Sequence, residues 1–336
     1  MPGLVIMLLT LFLFLASAVA IYFACEFFVN GVEWVGCRLN LGATAVGTVL
    51  AAFGTALPES AVTFVAVMFG NTPEQKDIGV GAALGGPLVL ATLAYAVVGF
   101  LLWRKQRGNV SCSIQADQKK LARDQAWFMA IFVVKIGLGL LVFVWKPWLG
   151  LLFLAVYGLY VKRELSSDEG SMIMEELEPL KLRPSDPTMF WAALQTVLAL
   201  LAIAFASHIF VRQIEAIGTW VGLAPHIAAL LLAPVATELP EIMNAVIWVR
   251  QGKERLALAN ISGSMMIQAT IPSALAIFMT PWLLDAPLLV AGGLTMLSIG
   301  MLWLLFRRNA MRLPVLAGAS AFYVVFAVFV GIYFMA

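Results

Sequence analysis

A glutamate follows a proline twice within strongly apolar sequence, in Thr55-Ala56-Leu57-Pro58-Glu59 and in Thr237-Glu238-Leu239-Pro240-Glu241. A carboxylate is costly inside a bilayer, and one kept there marks an ion or proton pathway. On a helix, Thr55 lies one turn before Glu59 and Thr237 one turn before Glu241, so each hydroxyl shares a face with its acid. Thr63 extends the first face and Asn244 the second. Asn260, Ser264 and Gln268 form another stripe in the next apolar segment, at i, i+4 and i+8. Carboxylates with neutral oxygens around them suit a hard cation such as calcium, which takes roughly six to eight oxygen ligands. Glu238 adds a third acid one turn from Glu241. Carboxylates this close titrate together, and one of them tends to hold a proton or a cation.

These residues sit in a repeat. At an offset of 182, with no gap, 11 of the 34 positions from Glu26 to Glu59 are identical, including Phe28/Phe210, Glu33/Glu215 and Gly36/Gly218. So many identities in one register imply two related halves. Hydrophobic residues make up 62% of the chain and charged residues 12%, against about 25% charged in a soluble domain. Hydropathy divides the chain into ten apolar segments near residues 4–29, 42–69, 78–103, 125–145, 147–161, 189–211, 224–249, 256–280, 286–306 and 313–335. Each is close to the ~20 residues that cross hydrocarbon. The expected fold is therefore an all-α polytopic membrane protein, with ten transmembrane helices as two inverted five-helix repeats. Residues 1–161 form the first repeat, 162–188 a cytoplasmic linker and 189–336 the second repeat. A broken helix is expected at each Pro-Glu pair, because irregular backbone is tolerated at membrane depth where protein surrounds it.

With the N-terminus outside, 17 of the 21 Lys and Arg residues fall on the inner loops, which sets the orientation by the positive-inside rule. An odd number of spans per half then makes the halves opposite in direction, and both motifs meet near the midplane. The net charge of +2, without a basic cluster interleaved with aromatics, argues against nucleic acid. Cys25, Cys37 and Cys112 lack metal-ligand spacing and read as packing or loop residues. No Lys or Arg precedes the first apolar run, so a span is favoured there over a signal peptide. The acidic linker lacks a calcium-loop pattern and reads as solvated. Glu26 and His208 read as interfacial or packing residues. Lys135, within the fourth span, reads as structural, its long stem letting it snorkel, with a cation-replacing or Glu-pairing role as the alternative. Trp103, Trp145, Trp148, Trp248 and Trp303 read as interface anchors.

The paired motifs, followed by Gly85-Gly86 in one half and Gly263-Ser264 in the other, resemble the α-repeats of the sodium/calcium exchanger family within the calcium/cation antiporter superfamily. The resemblance covers nearly the whole chain. It implies that Thr55, Glu59, Thr237, Glu241 and Ser264 ligate transported cations, with Glu238 and Gln268 standing where the family places a serine and an acidic or amide ligand. It also shows departures: Ala56, Gly86 and Leu90 stand where side-chain oxygens are usual.

The expectation is a secondary-active antiporter, not an enzyme, exchanging sodium for calcium by alternating access. Cation/proton exchange is the alternative, and a non-transporting scaffold or regulatory relative is the reading from another class. No cofactor is expected; calcium, sodium or protons are cargo. The partners are the lipid bilayer and small inorganic cations. The location is a prokaryotic plasma membrane, with both termini outside.

Overall fold

A computed structural model describes residues 2–69, 73–106, 114, 116–166, 177–185, 187–220, 231, 234–235 and 237–335. Within these ranges the side chains at 2–4, 44, 57–59, 61–62, 65–66, 73–78, 211, 214–215, 218–219 and 335 are not described. Glu59 and Glu215 therefore enter by backbone only, and Cys112 lies outside the described residues.

The chain is almost entirely helical, with no β-strand among the described residues. That is what lipid demands, since a helix satisfies its own backbone groups. In order, the helices are α1 (Pro2–Arg38), α2 (Ala43–Ala45), α3 (Ala52–Phe69), α4 (Pro73–Val89), α5 (Tyr95–Lys105), α6 (Gln118–Gly139) and α7 (Gly150–Leu165). They continue with α8 (Met189–Trp220), α9 (Leu239–Arg250), α10 (Glu254–Met279), α11 (Ala286–Arg307), α12 (Leu313–Ala317) and α13 (Ser320–Met335). Six stretches among the described residues are long and apolar enough to cross a membrane: Val5–Arg38, Gly79–Lys105, Met189–Phe210, Glu254–Met279, Ala286–Arg307 and Leu313–Phe334.

Two layers differ in burial. The chain around α4 and the whole of α10 lie inside the bundle, whereas α1 and α8 turn Ile6, Phe12, Leu15, Val19, Leu201 and Phe205 outward. α1 packs chiefly on α8. Phe14 stacks on Phe210 at 4.8 Å, and a Cβ at Gly31 would come within 2.7 Å of the Thr196 hydroxyl, so the two helices run antiparallel. Gln195 donates to the Phe27 carbonyl at 2.8 Å. The described end of the linker ties the same pair together: Trp34 and Asn30 of α1 donate to the Glu178 carbonyl, and Gln195 of α8 accepts from the Leu182 amide. Glu26 pairs with Lys181 at 3.1 Å, while His208 is exposed, so both have the peripheral places expected of them.

Three expectations need correction. α3 runs unbroken through position 58, and the irregular backbone next to it is a π-helical stretch, Val46–Ala51, that precedes it. A π-turn bends a helix as a proline does. In the other half the break is where it was expected: Glu238 is a turn and α9 starts at Leu239, with Pro240 in its first turn, where a missing N–H costs nothing. Trp248 is no interface anchor. It is fully buried and donates to Glu33 at 2.7 Å, and Lys253 closes an ion pair on the other Glu33 oxygen. Nor does Lys135 snorkel; it is fully buried, because oxygens inside the bundle receive its ammonium.

Candidate cation site

Close approach of backbones builds the site before any side chain enters it. A Cβ at Gly263 would lie 2.3 Å from the Thr48 carbonyl oxygen, and one at Gly47 would lie 2.7 Å from the Ala259 Cβ. Glycines thus press α10 against the π-helical stretch Val46–Ala51, the small-residue packing typical of helices in lipid. A Cβ at Gly85 would lie 2.6 Å from the Pro234 ring, so α4 abuts the segment that leads into Glu238. Cys25 of α1 closes another side, its Sγ 3.8 Å from the Pro240 carbonyl.

The acids of the second motif are buried in this enclosure, Glu238 with no exposure and Glu241 with 1%. The Glu241 carboxyl lies near Glu238 and near Thr55 of α3. The Thr55 hydroxyl donates its hydrogen to the Ala51 carbonyl at 3.1 Å. Gln268 of α10 places its Nε2 2.8 Å from both oxygens of Glu238. Asn260, two turns earlier on α10, donates to the Glu241 main-chain carbonyl at 3.4 Å. Thr237 is partly buried and turns its hydroxyl to the Pro234 carbonyl, 3.1 Å away.

The structure therefore brings Thr55, Glu238, Glu241 and Gln268 into one contact network. Ser264 lies fully buried on the same helix as Asn260 and Gln268. Thr237 adjoins Glu238 but bonds to its own turn. The α3 backbone carries position 59 one helical turn beyond Thr55.

Buried polar atoms are nearly always hydrogen-bonded, and an exception calls for a cause. Among the described residues, Glu241 Oε2, both amide atoms of Asn244, Asn260 Oδ1, Ser264 Oγ and Thr63 Oγ1 are buried without a hydrogen-bond partner. Each such group costs about 1–3 kcal/mol. They sit on the stripes of α3 and α9 that carry the acids and on the polar stripe of α10. Their chemistry, oxygen with net negative charge, is that of a hard-cation site.

Asn244 and Asn260, placed on these stripes by the sequence, belong to this set as fully as the ligands that the family resemblance implies. Their helical spacing was the signal, since each lies on a stripe with an acid or a hydroxyl. Cys25 gave no such signal, because only packing brings α1 to Pro240.

The family model described as "Sodium/calcium exchanger protein" matches this chain over residues 9–163 and 191–335. A protein named as an antiporter, CaxA from Alkalimonas amylolytica, is 24% identical over 297 residues, covering 83% of this chain and 84% of that one. Inner membrane protein YrbG of Escherichia coli is 25% identical over 253 residues, covering 71% of this chain and 70% of its own length. A solved structure of the sodium-calcium exchanger NCX_Mj superposes with a TM-score of 0.73 at 18% identity, over 94% of this chain and 97% of that one.

Proposed function

Because the chain belongs to the sodium/calcium exchanger family, a family of membrane transporters, we propose that it is a secondary-active antiporter that exchanges sodium for calcium by alternating access. The observation that carries this reading is the set of orphaned buried oxygens on α3, α9 and α10, Glu241 Oε2 among them. In the proposed site Glu59 and Glu241 are the central ligands, Thr55 and Thr237 supply hydroxyl or carbonyl oxygens, and Glu238, Ser264 and Gln268 complete it. Calcium and the coupling ion are cargo, and no resident cofactor is needed. The proposed plan is ten spans in two inverted repeats, 1–161 and 189–336, joined by the linker 162–188. α1 and α8, equivalent at the repeat offset and antiparallel, support the inversion. The distribution of basic residues supports a plasma-membrane protein with both termini outside.

Cation/proton exchange is the second reading. Glu238 favours it, as a fully buried acid near Glu241 whose charge calls for a proton or a cation. Calcium uptake into proteoliposomes under imposed sodium and proton gradients separates the two. Uptake driven by sodium alone supports the first, and uptake driven by a pH gradient alone supports the second. No uptake under either gradient would leave the antiporter reading without support.

A further inference from the structure

α4 and α10 hold equivalent places in the two halves, and Ala82, Gly86 and Leu90 align at one offset with Asn260, Ser264 and Gln268. The α10 stripe carries three side-chain oxygens, whereas its α4 equivalent carries none. α4 nevertheless receives a polar partner. Pro87 has no N–H, so the carbonyl of Ala83, one turn earlier, lacks its helical donor. Pro272 does the same to the carbonyl of Gln268 on α10.

One lysine answers both prolines, one directly and one through a hydroxyl. The Nζ of Lys135 on α6 lies 2.7 Å from the Ala83 carbonyl oxygen and 2.9 Å from the Ser273 hydroxyl. Ser273 accepts from Lys135 and donates its own hydrogen to the Gln268 carbonyl at 3.2 Å. The Phe132 ring, 4.7 Å from Nζ, adds a cation–π contact. A carbonyl that has lost its helical donor and a hydroxyl are oxygen ligands of the kind that replace water around a monovalent cation. Lysine brings a compact point charge with three donors to such a place, on a tether.

We propose that the Lys135 ammonium is a tethered cation filling an internal cation position between α4 and α10. The first half thus carries a fixed positive charge where the second half offers side-chain oxygens to a mobile one. The functional meaning rests on the cation-antiport reading, but occupancy of the position is measurable without transport. Because the charge cannot leave, it holds the two proline-interrupted helices together throughout a cycle. Through Ser273 it also steadies the turn of α10 whose Gln268 side chain grips Glu238.

The test uses the full chain, purified, with Lys135→Ala to open the position and Lys135→Met to fill it without charge. Thermal unfolding is followed in ethylammonium chloride and in choline chloride at equal ionic strength. Choline is too bulky for the position, whereas ethylammonium replaces the lost end of the lysine. Lys135→Ala should unfold at a lower midpoint than wild type, and ethylammonium should recover about half of that loss or more, as a ligand of the folded state does. Choline should recover none of it. Lys135→Met should stay below wild type and respond equally to both salts. If the two salts act alike on Lys135→Ala, or if Lys135→Met unfolds at the wild-type midpoint, the proposal is overturned. Should Lys135→Ala not fold, the comparison of Lys135→Met with wild type decides alone. Proteoliposome exchange by wild type, run beside these scans, reports on the antiport reading separately.

Discussion

Glu241 is the residue on which the site turns: a buried acid with one oxygen unbonded, against a hydroxyl from α3 and a second acid. Glu241→Gln keeps the shape and removes the charge, so exchange in proteoliposomes should fall to the background of empty vesicles while the protein stays monodisperse. Glu59→Gln should do the same; exchange at the wild-type rate by either variant would contradict the central-ligand assignment. Gln268→Asp replaces the amide donor that both oxygens of Glu238 receive with another carboxylate. Without a cation the two acids repel, and with calcium they gain a hard ligand. Apparent calcium affinity should therefore tighten by about tenfold, ~1.4 kcal/mol, and thermal stability should come to depend more strongly on added calcium. Unchanged affinity would place Gln268 away from the ion. Glu238→Ser removes the second buried acid and should flatten the pH dependence of exchange measured between about pH 6 and 8. A profile identical to wild type would remove Glu238 from the coupling step.

The packing of α10 is the element-level condition for this chemistry. Its glycine at 263 lets the helix lie directly on the Thr48 backbone, and an added methyl would have to displace main chain rather than a mobile side-chain tip. Gly263→Ala should cost about 1–3 kcal/mol, as overpacked cores do. It should also weaken cation binding, because Ser264 and Asn260 move with the helix. A thermal midpoint and calcium response equal to wild type would show that α10 has room to spare. Much of this element was legible beforehand, since the polar stripe on α10 follows from residue spacing alone. The π-helical stretch opposite it was not. Proline marks a break in sequence, but a π-turn has no comparable residue signature, so the bend in the first half was assigned to Pro58 instead of Val46–Ala51.

Across the whole molecule, the α1–α8 pair meets the rest of the bundle at several places, among them Glu33 against Trp248 and Lys253, Cys25 against Pro240, and Gly54 of α3. A Cβ there would meet the Phe28 ring at 3.0 Å and the Leu200 methyl at 3.2 Å. Gly54→Leu should wedge the pair against the bundle. Turnover should fall by about tenfold, ~1.4 kcal/mol on the limiting step, while the calcium-induced shift in the unfolding midpoint is retained. Loss of that shift would instead put Gly54 in the binding site, and unchanged turnover would mean that the pair does not slide past this point.

From the sequence alone came the helical membrane architecture, the repeat and the acids worth following, because hydropathy, periodicity and a costly residue in apolar surroundings act locally along the chain. Tertiary structure decided the partners. Nothing in the spacing joins Gln268 to Glu238, Trp248 to Glu33 or Cys25 to Pro240, since each contact crosses between segments distant in the chain. Lys135 shows the difference most clearly. Its length allowed it to reach water, but the packing of α4, α6 and α10 brings its ammonium to the Ala83 carbonyl freed by Pro87 and to the Ser273 hydroxyl, which in turn serves the Gln268 carbonyl freed by Pro272.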